Sequence, residues 1–160
     1  MKVMIIYDSV FGNTEKVARG MGEALGNSEA GVFKVSDMRL ELMAGVEFLM
    51  IGSPTRGFRP TEGITNFLTN LPENSLKGMK AAAFDTRIRI ETIKNPIFRA
   101  IVKKGGFADK PMAETLRIKG AEVLATEGFL VADREGPLNA GELERAAEWV
   151  KGINQARKIV

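Results

Sequence analysis

Val3-Met4-Ile5-Ile6-Tyr7 leads directly into Asp8-Ser9-Val10-Phe11-Gly12-Asn13-Thr14, after which Val17, Met21 and Leu25 recur every four residues. The opening five form an apolar run of strand length, the next seven are mostly small or polar, and the last three mark one face of a helix. A strand–turn–helix unit aims the free N–H groups of the helix's first turn at the space above the strand end. The helix dipole makes that space attractive to an anion. Ser9 and Thr14 add hydroxyls, and Gly12 lets a ligand approach the main chain. The stretch reads as a phosphate cradle. The competing reading is that Ser9 and Asn13 only cap the helix.

Beyond this stretch, apolar strand-like runs keep alternating with helical patterns. Strands are expected over residues 2–7, 31–35, 47–52 and 80–84 and within 121–132, with Glu127-Gly128 marking a bulge in the last. Helices are expected over about 13–25 and around Ile64, Phe67, Leu68 and Leu71, which follow Pro60. A helical stretch over 95–119 is broken at Gly105-Gly106 and near Pro111. The last helix opens on Asn139-Ala-Gly-Glu142, an Asn form of the capping box, and buries Leu143, Ala146, Ala147, Val150 and Ile153. This alternation predicts an α/β fold with three layers, a doubly wound five-stranded parallel sheet between helices, in one domain over 1–160. Such sheets bind ligands outside the carboxyl ends of their strands, where the strand order reverses. The loops over 8–14, 53–60 and 85–91 then carry the function.

Composition narrows the chemistry. The chain has no cysteine and no histidine among its 160 residues, which removes disulfides, thiolate nucleophiles, imidazole bases and the usual zinc ligands. No metal site is expected, and any chemistry falls to a bound cofactor. A net charge of +3 is too mild to suggest nucleic acid. No apolar run is long enough to cross a membrane, and no secretion signal is evident, so a cytoplasmic protein is expected. The charge is uneven, however. Residues 95–120 hold six cations against two carboxylates, a net of +4, suited to an acidic docking partner or simply to a solvated face.

The first loop lacks the Gly-Lys-Ser/Thr of a P-loop and the G-x-G-x-x-G of a dinucleotide site. Asp8 alone, with Gly52-Ser53-Pro54 ending the third strand, is also a poor match to a magnesium-binding phospho-receiver domain. Taken with Gly52-Ser53-Pro54-Thr55-Arg56, it resembles the flavodoxin family, including the flavodoxin-like quinone reductases with a Pro-Thr-Arg loop. The resemblance implies the strand order 2-1-3-4-5 and FMN as cofactor. It assigns Ser9, Val10, Phe11, Gly12, Asn13 and Thr14 to the FMN phosphate. It assigns Pro54, Thr55, Arg56, Gly57 and Phe58 to one wall of the ring site, and Asp85, Thr86 and Arg87 to the other. No catalytic residue is implied.

Two departures from the family stand out. Phe11 occupies a place where a hydroxyl residue is common, and the 85–91 loop has no aromatic residue, which leaves ring stacking to Phe58. Arg56, Arg59, Arg87 and Arg89, opposed by Asp85 and Glu91, predict a ring site that favours added negative charge. The expected function is that of a small FMN electron-transfer carrier working with redox partner proteins. The alternatives are an FMN-dependent NAD(P)H:quinone-type reductase and a flavodoxin-like domain that has lost FMN. Neither nucleic acid nor a membrane is expected as a partner.

Overall fold

Alternate residues of the central strands point to opposite faces of one sheet, and each face has its own apolar cluster. The computed structural model describes residues 2–26 and 28–159. In chain order the main elements are β1 (Val3–Tyr7), α1 (Asn13–Leu25), β2 (Ala30–Lys34), β3 (Phe48–Pro54) and α2 (Glu62–Asn70). They continue with β4 (Lys80–Ile88), α3 (Pro96–Gly105), α4 (Asp109–Ile118), β5 (Glu122–Val131) and α5 (Glu142–Ala156). All strand pairs are parallel and the order is β2-β1-β3-β4-β5, as expected. Only two short 3-10 turns, Val35–Asp37 and Leu40–Met43, join β2 to β3.

On one face Met4, Ile6, Leu49, Ile51, Ala81 and Ala83 pack against α2 and α4 through Ile64, Leu68, Met112 and Leu116. On the other, Val3, Ile5, Phe48, Met50, Ala82 and Phe84 pack against α1 and α5 through Val17, Met21, Ala146 and Val150. Trp149 joins this second core, edge-on to Phe84 and Phe129 with ring centroids 6.5 and 5.9 Å away. β1, β3 and the first half of β4 are therefore apolar on both sides, as a covered parallel sheet demands. Among the described residues no helix is long and apolar enough to cross a membrane.

Five expectations differ from the structure. β4 runs on to Ile88, because residues 85–88 keep pairing with 128–131 of β5. Asp85, Thr86 and Arg87 are thus strand residues, not loop residues. The irregularity in β5 lies near Leu124, where the pairing jumps from Ala81↔Val123 to Ala82↔Ala125. Gly128 instead makes room for the Arg87 guanidinium, which a Cβ there would strike. Pro111 does not break a helix: it falls in the first turn of α4, where its missing N–H costs nothing. Finally, α5 starts behind Gly141 with no side-chain cap. Glu142 turns away from the expected capping box to accept the Leu130 N–H of β5 at 2.6 Å. Leu143 is 42% exposed, not part of the core.

Candidate functional site

A cavity of about 360 Å³ opens at the carboxyl ends of β1, β3, β4 and β5. β1 and β3 are neighbours although α1 and β2 separate them in sequence, so this is the point where the winding reverses. The volume lies within the range of small-molecule sites. Its lining divides into a polar end, a strand-borne wall and an open rim.

The polar end comes from the 9–14 loop. Gly12 adopts φ +88°, a left-handed turn that brings the chain from β1 into α1. Ser9 Oγ accepts the Gly12 N–H at 3.0 Å, which fixes the loop locally. No side chain caps α1 itself, so the amides of its first turn remain free to meet an anion. Thr14 is buried, its hydroxyl 2.8 Å from that of Thr86 on β4. Asn13 donates to the carbonyl of Glu135 at 3.0 Å and lies against Gly136, drawing the 133–136 loop over the same end.

The strand-borne wall rests on an ionic network. Asp85 is wholly buried and faces the α4 side of the sheet together with Arg87, two residues on. Arg87 donates to both Asp85 oxygens, at 2.6 and 2.7 Å, and also pairs with Asp109 at 3.0 Å. Its guanidinium stacks 3.9 Å above the Phe107 ring. Asp85 further accepts from the Thr55 hydroxyl and the Asp109 N–H, while Thr55 accepts from the Ala108 N–H. Burial pushes the Asp85 carboxyl above its ordinary range and the Asp109 charge adds to this; Arg87 pulls against both.

At the rim, Arg56 and Arg59 exchange two backbone hydrogen bonds, closing a hairpin around Gly57 and Phe58 at φ +53° and +69°. Both central residues are left-handed, as a two-residue type I′ turn requires. The turn sends the Phe58 ring onto α3, where Gly105 has no side chain to obstruct it.

No protein-family model matches the chain, and no curated protein matches it. Solved structures do. A flavodoxin from the domain Archaea matches with a TM-score of 0.72 at 20% identity, over 99% of this chain and 99% of that one. Flavodoxin 1 from Bacillus cereus matches with a TM-score of 0.72 at 20% identity, over 94% and 95%. A Fusobacterium nucleatum flavodoxin, solved bound to flavin mononucleotide, matches with 0.67 at 16% identity, over 97% and 98%. This chain has the flavodoxin fold. At such identities the likeness is one of backbone, and the chemistry must be argued from side chains.

Within this flavodoxin fold the cavity gathers Ser9, Val10, Phe11, Asn13, Thr14, Pro54, Thr55, Arg56, Gly57, Thr86 and Arg87. Gly12 is not in the lining but makes the left-handed turn of the loop. Phe58 and Asp85 do not line the cavity: the first covers Gly105, and the second is sealed beneath the wall. Arg87 lines it but is already matched by two carboxylates, so it is removed from the surplus of positive charge expected there. Arg56 stays on the positive side, 5.5 Å from the Phe11 ring centroid. The sequence reading missed Ile88, Phe98, Val131 and Arg134, which also line the cavity. Ile88 was visible in the sequence, since it alternates with Arg87 once β4 is allowed its full length. Phe98 lies on a helix that sequence alone does not orient.

Proposed function

We propose that the protein is an FMN-binding electron carrier of the flavodoxin type. The observation that carries this reading is the cavity's donor set at the switch point. Uncapped α1 amides and the hydroxyls of Ser9 and Thr14 gather at one end, and apolar Pro54, Ile88, Phe98 and Val131 line the remainder. A phosphate monoester joined to a flat apolar ring fits that division. No carboxylate lines the cavity, while Arg56, Arg87 and Arg134 do, so a dianionic phosphate meets no like charge there.

The residues divide the work. The α1 amides with Ser9 and Thr14 bind the phosphate, and Phe11 contributes its main chain but no hydroxyl. Pro54 and Thr55 form the ring-side wall, which Asp85 holds through Thr55. Phe98 takes the aromatic role that the resemblance gave to Phe58. The cofactor supplies one- and two-electron redox chemistry when bound. Arg56 biases the site toward added negative charge, and burial of the wall excludes water. The absence of any cysteine or histidine supports a carrier whose protein part binds and tunes rather than reacts.

Titration of the purified chain with FMN and with riboflavin tests the reading. FMN should bind one to one and turn the protein yellow, and riboflavin should bind at least about tenfold more weakly for want of the phosphate. Equal affinity for the two, or none for FMN, overturns the proposal. Rapid bleaching of the bound flavin by NADH or NADPH would move the assignment to a reductase.

A further inference from the structure

α3 is strongly amphipathic, yet none of its residues is buried. Ile97, Phe98 and Ile101 are 73%, 53% and 50% exposed. Their spacing places them on one helical face. Val10 and Phe11 are also exposed and line the same cavity as Phe98, so apolar surface borders the opening on both sides. Among the described residues, five of the ten large exposed apolar side chains thus fall on α3 or in the 9–14 loop, and three of them line one opening, which is how an interaction surface differs from scattered apolar residues.

The charge on α3 itself has one sign, and Glu91 in the turn packed against it is outnumbered by the cations. α3 contains Arg99, Lys103 and Lys104 and no carboxylate, and Lys94 precedes it. Arg99 is partly occupied, donating to the Ile93 carbonyl. The other cations of the 95–120 stretch already have partners on the surface: Lys119 holds the carbonyls of Thr69 and Leu71, Lys110 reaches Thr126, and Arg117 pairs with Glu114. Lys103 and Lys104 are exposed beside the apolar stripe. An apolar centre with a charged rim is the anatomy of a protein interface.

We propose that α3, together with Val10 and Phe11, is the docking surface for a soluble protein presenting an apolar patch ringed by carboxylates. The rim charge selects an acidic partner and steers its approach. A second copy of this chain fits poorly, because a two-fold contact would set these cations against themselves. A lipid surface fits poorly too, since the patch offers five exposed apolar anchors split between a loop and a ten-residue helix only about 15 Å long. That the partner is a redox protein rests on the electron-carrier reading; the docking surface itself does not need the cofactor.

An acidic plant-type ferredoxin serves as the probe, titrated calorimetrically into the full chain with and without added FMN, at about 20 and about 200 mM salt. Binding should be present in both forms and weaken at high salt. K103E/K104E should weaken it by about tenfold or more and flatten the salt dependence. I97S/I101S should weaken it by about tenfold with the salt dependence kept. These side chains are exposed, and far-UV circular dichroism with Trp149 fluorescence confirms an unchanged fold. Absence of ferredoxin binding at low salt overturns the proposal, as does binding that ignores both variants. So does self-association lost in I97S/I101S, or preferential, residue-dependent binding to phosphatidylserine vesicles. Ferredoxin binding with a failed FMN titration refutes the carrier reading alone; FMN binding without ferredoxin binding refutes the docking surface alone.

Discussion

Beneath the inner wall of the cavity Asp85 is fully buried and bonded to Arg87, Thr55 and the Asp109 amide, whereas α3 on the outer side buries none of its ten residues. The inner wall is held by charge-assisted bonds in a dry environment, where each partner fixes the next. The outer side is held at its ends. Asn95 caps it through the Ile97 and Phe98 amides, Arg99 ties back to Ile93, and Phe58 rests on Gly105. The contrast separates two jobs that share one cavity. Inner-wall residues should matter first to folding, and outer residues to what binds.

Asp85→Ala gives the largest expected effect. It leaves Arg87 half-matched and deprives Thr55 and the Asp109 amide of their acceptor, the situation in which breaking a buried pair costs about 3 kcal/mol. Urea unfolding followed by Trp149 fluorescence should show that loss. A change below about 0.5 kcal/mol, the range of ordinary surface substitutions, would show that the Asp85 network does not hold the wall.

Glu142 extends the inner wall by one layer. Burial works to raise its carboxyl, but the Arg145 hydrogen bonds and the Leu130 N–H outweigh that, so it sits below its ordinary range. Arg145 in turn reaches the Gly128 carbonyl, behind Arg87. Because the folded state holds this group ionised more readily than the unfolded chain does, its contribution is complete at neutral pH. It disappears as pH falls through the carboxylate range. Glu142→Gln should therefore cost about 1.5 kcal/mol at pH 7. The gap from the parent protein should close progressively on acidification. A gap that widens toward low pH would mean that the fold favours the protonated form of Glu142 instead.

The same division explains what could be read from the sequence. β1, the 9–14 turn and α1 were legible, because an uninterrupted apolar run, a glycine turn and a helical repeat are local signals. Strand order followed from the resemblance and from alternation. The length of β4 was not legible: Asp85-Thr86-Arg87 reads as a polar loop unless one knows that Asp85 and Arg87 satisfy each other on one face. Glu142 looked like a cap because its spacing from Asn139 fits one, while its actual partner, Leu130, is distant in sequence. Phe58 looked like a ring-stacking residue because nothing local shows that Gly105 lies within its reach. These three misses concern polar or aromatic side chains whose partners no local pattern discloses.

Phe98→Ala should have the smallest effect on folding and so gives the sharpest test of the outer side. Phe98 is more than half exposed and belongs to neither apolar core, so its removal should change the unfolding free energy by no more than about 0.5 kcal/mol. It is nonetheless an aromatic ring in the cavity lining, and on the proposed reading it covers a flat ligand. Loss of one such contact is worth about 1 kcal/mol, or about fivefold in FMN affinity. Measuring both quantities on one preparation separates the roles. A stability loss matching Asp85→Ala would mean that α3 is part of the core despite its exposure. Unchanged stability with unchanged affinity would detach α3 from the cofactor and leave it to the docking partner alone.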